Sequence, residues 1–324
     1  MDKNNQDSVV QNEKIGHYFC DLNMTNLTDQ QFLDEWGRVL NNPEQPMKRR
    51  FMALMQLRSA PCNRSANWIV RAFSDDSALL KHELAFCLGQ MRAKVAIPTL
   101  FDVLNRKDED PMVRHEAAEA LGAIGDPSVM EELKPFLEDP NREVRETVEL
   151  AVERLKFFED KPKGFIDGND KFYNTIDPAP PLEDVDVDKL EKILTDPNEK
   201  LFKRYRALFS LRNLSTEESI KAIARALNCE GALLKHEIAY VLGQIQSPLA
   251  VEELTCKLKN IEEQPMVRHE AAEALGSIGT KKCEEILTEH IKDEERVVRE
   301  SVEVAMSIVD YNQNGEPIFE FIQE

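Results

Sequence analysis

Apolar and small residues recur three and seven positions after a basic one along this chain, and the arrangement returns at Arg50, Lys81, Arg114 and Arg145, then at Arg204, Lys235, Arg268 and Arg299. The steps are 31 or 33 residues, and nowhere does the pattern show strand-like alternation. A helical spacing repeated at this interval predicts stacked helix pairs in a solenoid. Punctuation agrees. Asp110-Pro111 and Gln264-Pro265 precede the second helix of their units, where proline is tolerated in the first turn. Gly122 and Gly125, and likewise Gly276 and Gly279, lie where those helices are expected to end.

A longer repeat encloses the short one. "VRHEAAEALGAIG" from Val113 returns as "VRHEAAEALGSIG" from Val267, and "KHELAFCLGQM" from Lys81 returns as "KHEIAYVLGQI" from Lys235, both 154 positions later. The expected fold is therefore an all-α, α-α superhelix of eight HEAT-like repeats in two four-repeat halves. The division expected is a polar extension (1–30), an N-terminal half (31–158), a Pro- and Asp-rich linker (159–184) and a C-terminal half (185–324). At that length the linker exceeds an ordinary connection, which suggests a function or flexibility that lets the halves face each other.

Composition narrows the function. Aromatics make up only 7% of the 324 residues, which suits helices. Sixty acidic against 41 basic side chains give a formal net charge of -19, a field that repels nucleic acid and anionic membranes and attracts cationic partners. Six scattered cysteines without a C-x-x-C pair read as reduced thiols in the cytosol. No stretch approaches the roughly 20 apolar residues of a membrane span, so a cytoplasmic protein, monomeric and without membrane contact, is expected.

The candidate chemistry lies in four His-Glu pairs: His82-Glu83, His115-Glu116, His236-Glu237 and His269-Glu270. Each follows the basic marker of the second or third unit of a half. Glutamate near the start of a helix favours the helix dipole, so a single pair would be explained by the scaffold alone. The outer units argue otherwise, because the same register holds Phe51-Met52, Tyr205-Arg206, Glu146-Thr147 and Glu300-Ser301. His17 and His290 fall outside the register and read as surface residues. Stacked units set equivalent positions side by side, so His82 is expected near His115 and His236 near His269, with all four converging if the halves curve together. Four imidazoles and four carboxylates in one cleft require cations. Without a thiolate, the set suits iron, manganese or zinc, and division by halves gives two histidines and at least one carboxylate per metal. The spacing lacks the H-E-x-x-H of a metalloprotease, and no phosphate-binding glycine loop is present.

These motifs, with the junction "IDPAPPLE" leading into "LFKRYRALFSLRNL", resemble the deoxyhypusine hydroxylases over about Leu33 to Ile308. The resemblance implies a non-heme di-iron monooxygenase. It would use two Fe(II) ions and O2 to hydroxylate the deoxyhypusine side chain of translation initiation factor 5A and so complete hypusine. Carried over position by position, it implies His82, His115 and Glu116 as ligands of one iron and His236, His269 and Glu270 as ligands of the other. Glu83 and Glu237 would hold the substrate. The residues alone do not separate the two glutamate classes. They also leave open a dinuclear hydrolase, a lyase with related repeats, or a scaffold that merely inherited the pairs.

Overall fold

The structure, a computed structural model, describes residues 29–159, 161, 173 and 175–314. Most of the polar extension, His17 and most of the first part of the linker lie outside the described residues. Sixteen α-helices and no strand appear among those described, arranged as eight pairs. The pairs of the first half are α1 (Asp29–Leu40) with α2 (Met47–Ser59), α3 (Asn63–Arg71) with α4 (Ala78–Gln90), α5 (Ile97–Asn105) with α6 (Pro111–Ile124), and α7 (Met130–Leu133) with α8 (Arg142–Glu159). Those of the second are α9 (Val187–Thr195) with α10 (Leu201–Leu214), α11 (Glu217–Ala226) with α12 (Ala232–Ile245), α13 (Val251–Lys259) with α14 (Pro265–Ile278), and α15 (Lys281–Glu289) with α16 (Arg296–Asn314). The expected all-α superhelix of HEAT-like repeats is the fold observed.

The basic marker of each unit has a structural purpose. Arg50, Arg114, Arg204 and Arg268 each donate from Nε to a carbonyl ten residues earlier, those of Leu40, Leu104, Leu194 and Leu258, at 2.8–3.0 Å. These carbonyls belong to the last turn of the preceding outer helix, where no intrahelical partner exists, so the arginine caps one helix while starting the next. Arg114 also pairs with Asp139 at 2.6 Å and Arg268 with Asp293 at 2.5 Å, which fixes each unit to the following one.

Even-numbered helices line the inside of the array, and neighbours such as α4, α6 and α8 pack directly on one another. Glycine permits this closeness. A methyl group on Gly276 would lie 2.6 Å from Ala305 Cβ and 2.7 Å from its Cα, and one on Gly122 would lie 2.9 Å from Ala151 Cβ. Gly122 and Gly276 therefore serve helix contact inside α6 and α14, whereas Gly125 and Gly279, at φ 70° and 63°, are the left-handed caps that end those helices. Gly276→Ala should destabilise the fold despite alanine's better helix propensity. The propensity gain is about 1 kcal/mol, and overpacking against a backbone costs about 1–3 kcal/mol. A lowered thermal midpoint is the expected reading, and an unchanged or raised one would show that α14 and α16 spread freely.

The array closes on itself. Helix α8 packs on α10 and α12, and α16 packs on α2 and α4. Ser77 Oγ donates to Glu300 Oε2 at 2.6 Å and Arg296 meets Asp76 at 3.1 Å across the second of these seams. Each half has its own hydrophobic core, and each core takes in a side chain from the other half, such as Leu150 in one and Val304 in the other.

At the first seam the end of the linker forms a strap. Ile176 donates its N–H to Gln90 Oε1 at 2.8 Å and accepts from Gln90 Nε2 at 3.0 Å. Asp177 receives both amino groups of Arg212, at 2.9 and 2.6 Å, and its carbonyl accepts from Arg154 at 2.9 Å. Gln90 and Arg154 belong to the first half and Arg212 to the second, so two residues of the strap, Ile176 and Asp177, bind the two halves together.

Candidate metal centre

The His-Glu pairs start from a register that the helices impose. Each histidine sits one residue past the basic marker, in the first turns of α4, α6, α12 and α14, and therefore points to the inside of the ring. Because the ring is closed, the four imidazoles meet. Ring centroids are 5.5 Å apart for His82 and His115 and 5.2 Å for His236 and His269, both within a half. Between halves they are 5.6 Å for His82 and His236, 5.2 Å for His82 and His269, and 5.4 Å for His115 and His236. Pairs across the halves are thus as close as pairs within them, and distance alone does not divide the histidines between two ions.

Carboxylates surround this cluster. Glu116 Oε2 is 3.4 Å from His82 Nε2, and Glu270 Oε2 is 3.4 Å from His236 Nε2, so each half repeats the same reach from one unit to its neighbour. Glu83 Oε1 lies 3.1 Å from His82 Nδ1. Its counterpart Glu237 is buried, and its Oε1 has no hydrogen-bond partner among the described residues. All four glutamates, with His82 and His236, border a cavity of about 940 Å³. His115 and His269 lie behind them, 0% exposed.

Two further acids, which the motif reading passed over, complete the set. Glu119 and Glu273 stand four residues after His115 and His269 and so share their helix face. Glu273 accepts from Ser301 Oγ at 3.1 Å and lies 3.6 Å from His269 Nδ1. The signal was present in the duplicated "HEAAE", where a third carboxylate recurs at helical spacing.

The electrostatics call for a cation. Burial, then the carboxylate of Glu119, pushes Glu116 well above the usual carboxylate range. Burial likewise raises Glu237 and Glu273, and it pushes Glu119 up to about 7. Burial, followed by the neighbouring imidazoles, holds His115 and His269 well below the ordinary histidine value. Both ring nitrogens of His115 and of His269, and Nε2 of His82 and His236, have no hydrogen-bond partner among the described residues. Leaving a buried polar atom unpaired costs about 1–3 kcal/mol, and bound metal removes that cost while favouring the ionised carboxylates.

Three groups of side chains offer ligand atoms within 4.8 Å of one another: His236, His269 and Glu270; His82, His115 and His236; and His115, Glu116 and Glu119. No cysteine belongs to any of them. Neutral imidazole with carboxylate fits a borderline metal such as iron, manganese or zinc, so the residues present suit an iron site.

The HEAT repeats family matches residues 65–153 and 232–307, and the PBS lyase HEAT-like repeat matches 203–229. Deoxyhypusine hydroxylase of Danio rerio is 50% identical over 86% of this chain and 92% of its own length. That of Homo sapiens is 50% identical over 88% of this chain and 93% of its own. The solved structure of human deoxyhypusine hydroxylase in complex with glycerol matches with a TM-score of 0.83 at 50% identity, covering 87% of this chain and 97% of that one. Among the described residues no helix is long and apolar enough to cross a membrane. Identity at this level across both halves, together with the four converging histidines, establishes that the chain belongs to the deoxyhypusine hydroxylase family.

Proposed function

We propose that the protein is a deoxyhypusine monooxygenase that hydroxylates the deoxyhypusine side chain of translation initiation factor 5A, using two Fe(II) ions and O2. The observation that carries this reading is the cluster of four buried imidazoles with unpartnered nitrogens at the base of a cavity rich in carboxylates. His82, His115 and Glu116 would hold one iron, and His236, His269 and Glu270 the other. Bound there, the ions supply the activation of dioxygen that C–H hydroxylation requires.

The chain's own groups bind and orient the substrate. Deoxyhypusine is a long, flexible cation, and the net charge of -19 draws it towards the protein. Glu83 and Glu237, beside the ligand histidines in sequence and bordering the cavity, would take its ammonium groups in charge-assisted hydrogen bonds. Phe86 and Tyr240, whose rings meet edge to face at 5.8 Å, give the cavity an apolar wall for the methylene groups. The protein would act as a monomer in the cytoplasm.

Iron-loaded protein supplied with O2, a reductant and deoxyhypusine-bearing factor should add one oxygen atom to the modified lysine, read by mass spectrometry. Absence of that mass gain would sink the proposal. The two glutamate classes give a sharper test. Glu116→Ala and Glu270→Ala should lose iron, whereas Glu83→Ala and Glu237→Ala should keep it and raise KM by about tenfold or more, the loss of one charge-assisted contact. Equal iron loss in all four variants would refute the split.

A further inference from the structure

Duplication placed two arginines in equivalent positions, and the structure uses them differently. Arg212, at the end of α10, is 0% exposed and is saturated by Asp177 of the strap and by Gln244 at 2.8 Å. Arg58, 154 positions earlier at the end of α2, faces Phe86 of α4 and borders the cavity. Among the described residues no carboxylate pairs with it. Its guanidinium carbon lies 5.2 Å from the centre of the Phe86 ring, and one amino group donates at 4.0 Å to the sulfur of Met55.

Arg58 is half-buried and borders the cavity beside Ser59 and Pro61, which are exposed. It therefore lies at the mouth, while the histidines and carboxylates lie at the base. On the strap side the cavity is bordered by Thr175 and Ile176, of which Thr175 is buried. The pseudo-twofold relation of the two halves is broken at this point, and a substrate meets a different group at each side.

We propose that Arg58 binds the main chain of the protein substrate, donating to a peptide carbonyl oxygen next to the modified lysine. The proposal rests on the reading of the cavity as a deoxyhypusine site. A side chain whose ammonium groups sit deep among carboxylates leaves its own backbone at the mouth. Peptide carbonyls there give up water on contact and need donors. A guanidinium offers five N–H groups in a fixed fork, and stacking on Phe86 holds it in place without consuming those donors. Lysine has no such fork and stacks less well, so Arg58 is the specific choice.

Arg58→Ala and Arg58→Lys test this against the deoxyhypusine-bearing factor. Loss of a hydrogen bond from a charged donor corresponds to roughly a tenfold to hundredfold effect. We expect KM to rise by that amount in Arg58→Ala, with kcat within about twofold and iron content equal to wild type. Arg58→Lys should recover part of the loss, which a packing defect would not show. Unchanged KM, or a loss confined to kcat or to iron content, would overturn the proposal. If wild-type protein fails to hydroxylate, the parent reading falls. In that event binding of the same factor, measured by calorimetry without turnover, still decides the role of Arg58: equal affinity in wild type and Arg58→Ala rejects it, and a tenfold loss supports it.

Discussion

His269→Ala is expected to abolish hydroxylation, by roughly a thousandfold or more on the scale of enzymatic rate enhancements, and to leave the protein without its full complement of iron. The side chain is 0% exposed, and its ring lies 5.2 Å from those of both His82 and His236. It also belongs with His236 and Glu270 to the one group, among the three compact ones, that coincides with a proposed ligand set drawn from a single half. The fold should survive, since α14 retains its apolar contacts through Val267, Ala271 and Leu275. Helical circular dichroism with about two irons per wild-type chain, and fewer in the variant, is the expected result. His82→Ala should behave alike. Full iron occupancy in either variant would remove the ligand assignment.

The extent to which the sequence revealed this site follows from what periodicity encodes. Helix pairs, their basic caps and the register of the His-Glu pairs are local properties, repeated eight or four times, and each repetition strengthened the reading. The absence of His-Glu at Phe51-Met52 and Glu146-Thr147 separated chemistry from scaffold without any coordinate. The seams are different in kind. Whether α16 meets α2 depends on small rotations summed over eight units, which no residue spacing states. Cross-half distances such as 5.2 Å between His82 and His269 are a consequence of that closure. The strap was equally hidden, because Ile176 and Asp177 have no periodicity and take their partners from Gln90, Arg154 and Arg212 far away in sequence. Gly122 and Gly276 were read as helix ends because glycine commonly ends helices. Their close approach to Ala151 and Ala305 comes from packing between units.

A chain divided at the linker should show that the site needs both halves. A fragment of residues 1–160 and one of residues 173–324 would each keep four helix pairs, and repeat arrays tolerate such division because most contacts join neighbouring units. The second fragment must begin before Thr175, since Asp177 neutralises the fully buried Arg212, and removing one partner of a buried ion pair costs about 3–5 kcal/mol. Each fragment alone should be helical and bind at most one iron, because three of the proposed ligands belong to each half. Neither should hydroxylate, since the cavity is bordered by Glu83 and Glu116 from one side and Glu237 and Glu270 from the other. Mixing them should restore turnover. The surfaces that must rejoin are specific: Gln90 and Arg154 for the strap at one seam, and Ser77 and Asp76 for Glu300 and Arg296 at the other. Association is then bimolecular, so activity should rise with fragment concentration, and the intact linker should replace that dependence with a high effective concentration. Substantial hydroxylation by either fragment alone would mean that a single half suffices, and the two-iron reading would have to be abandoned.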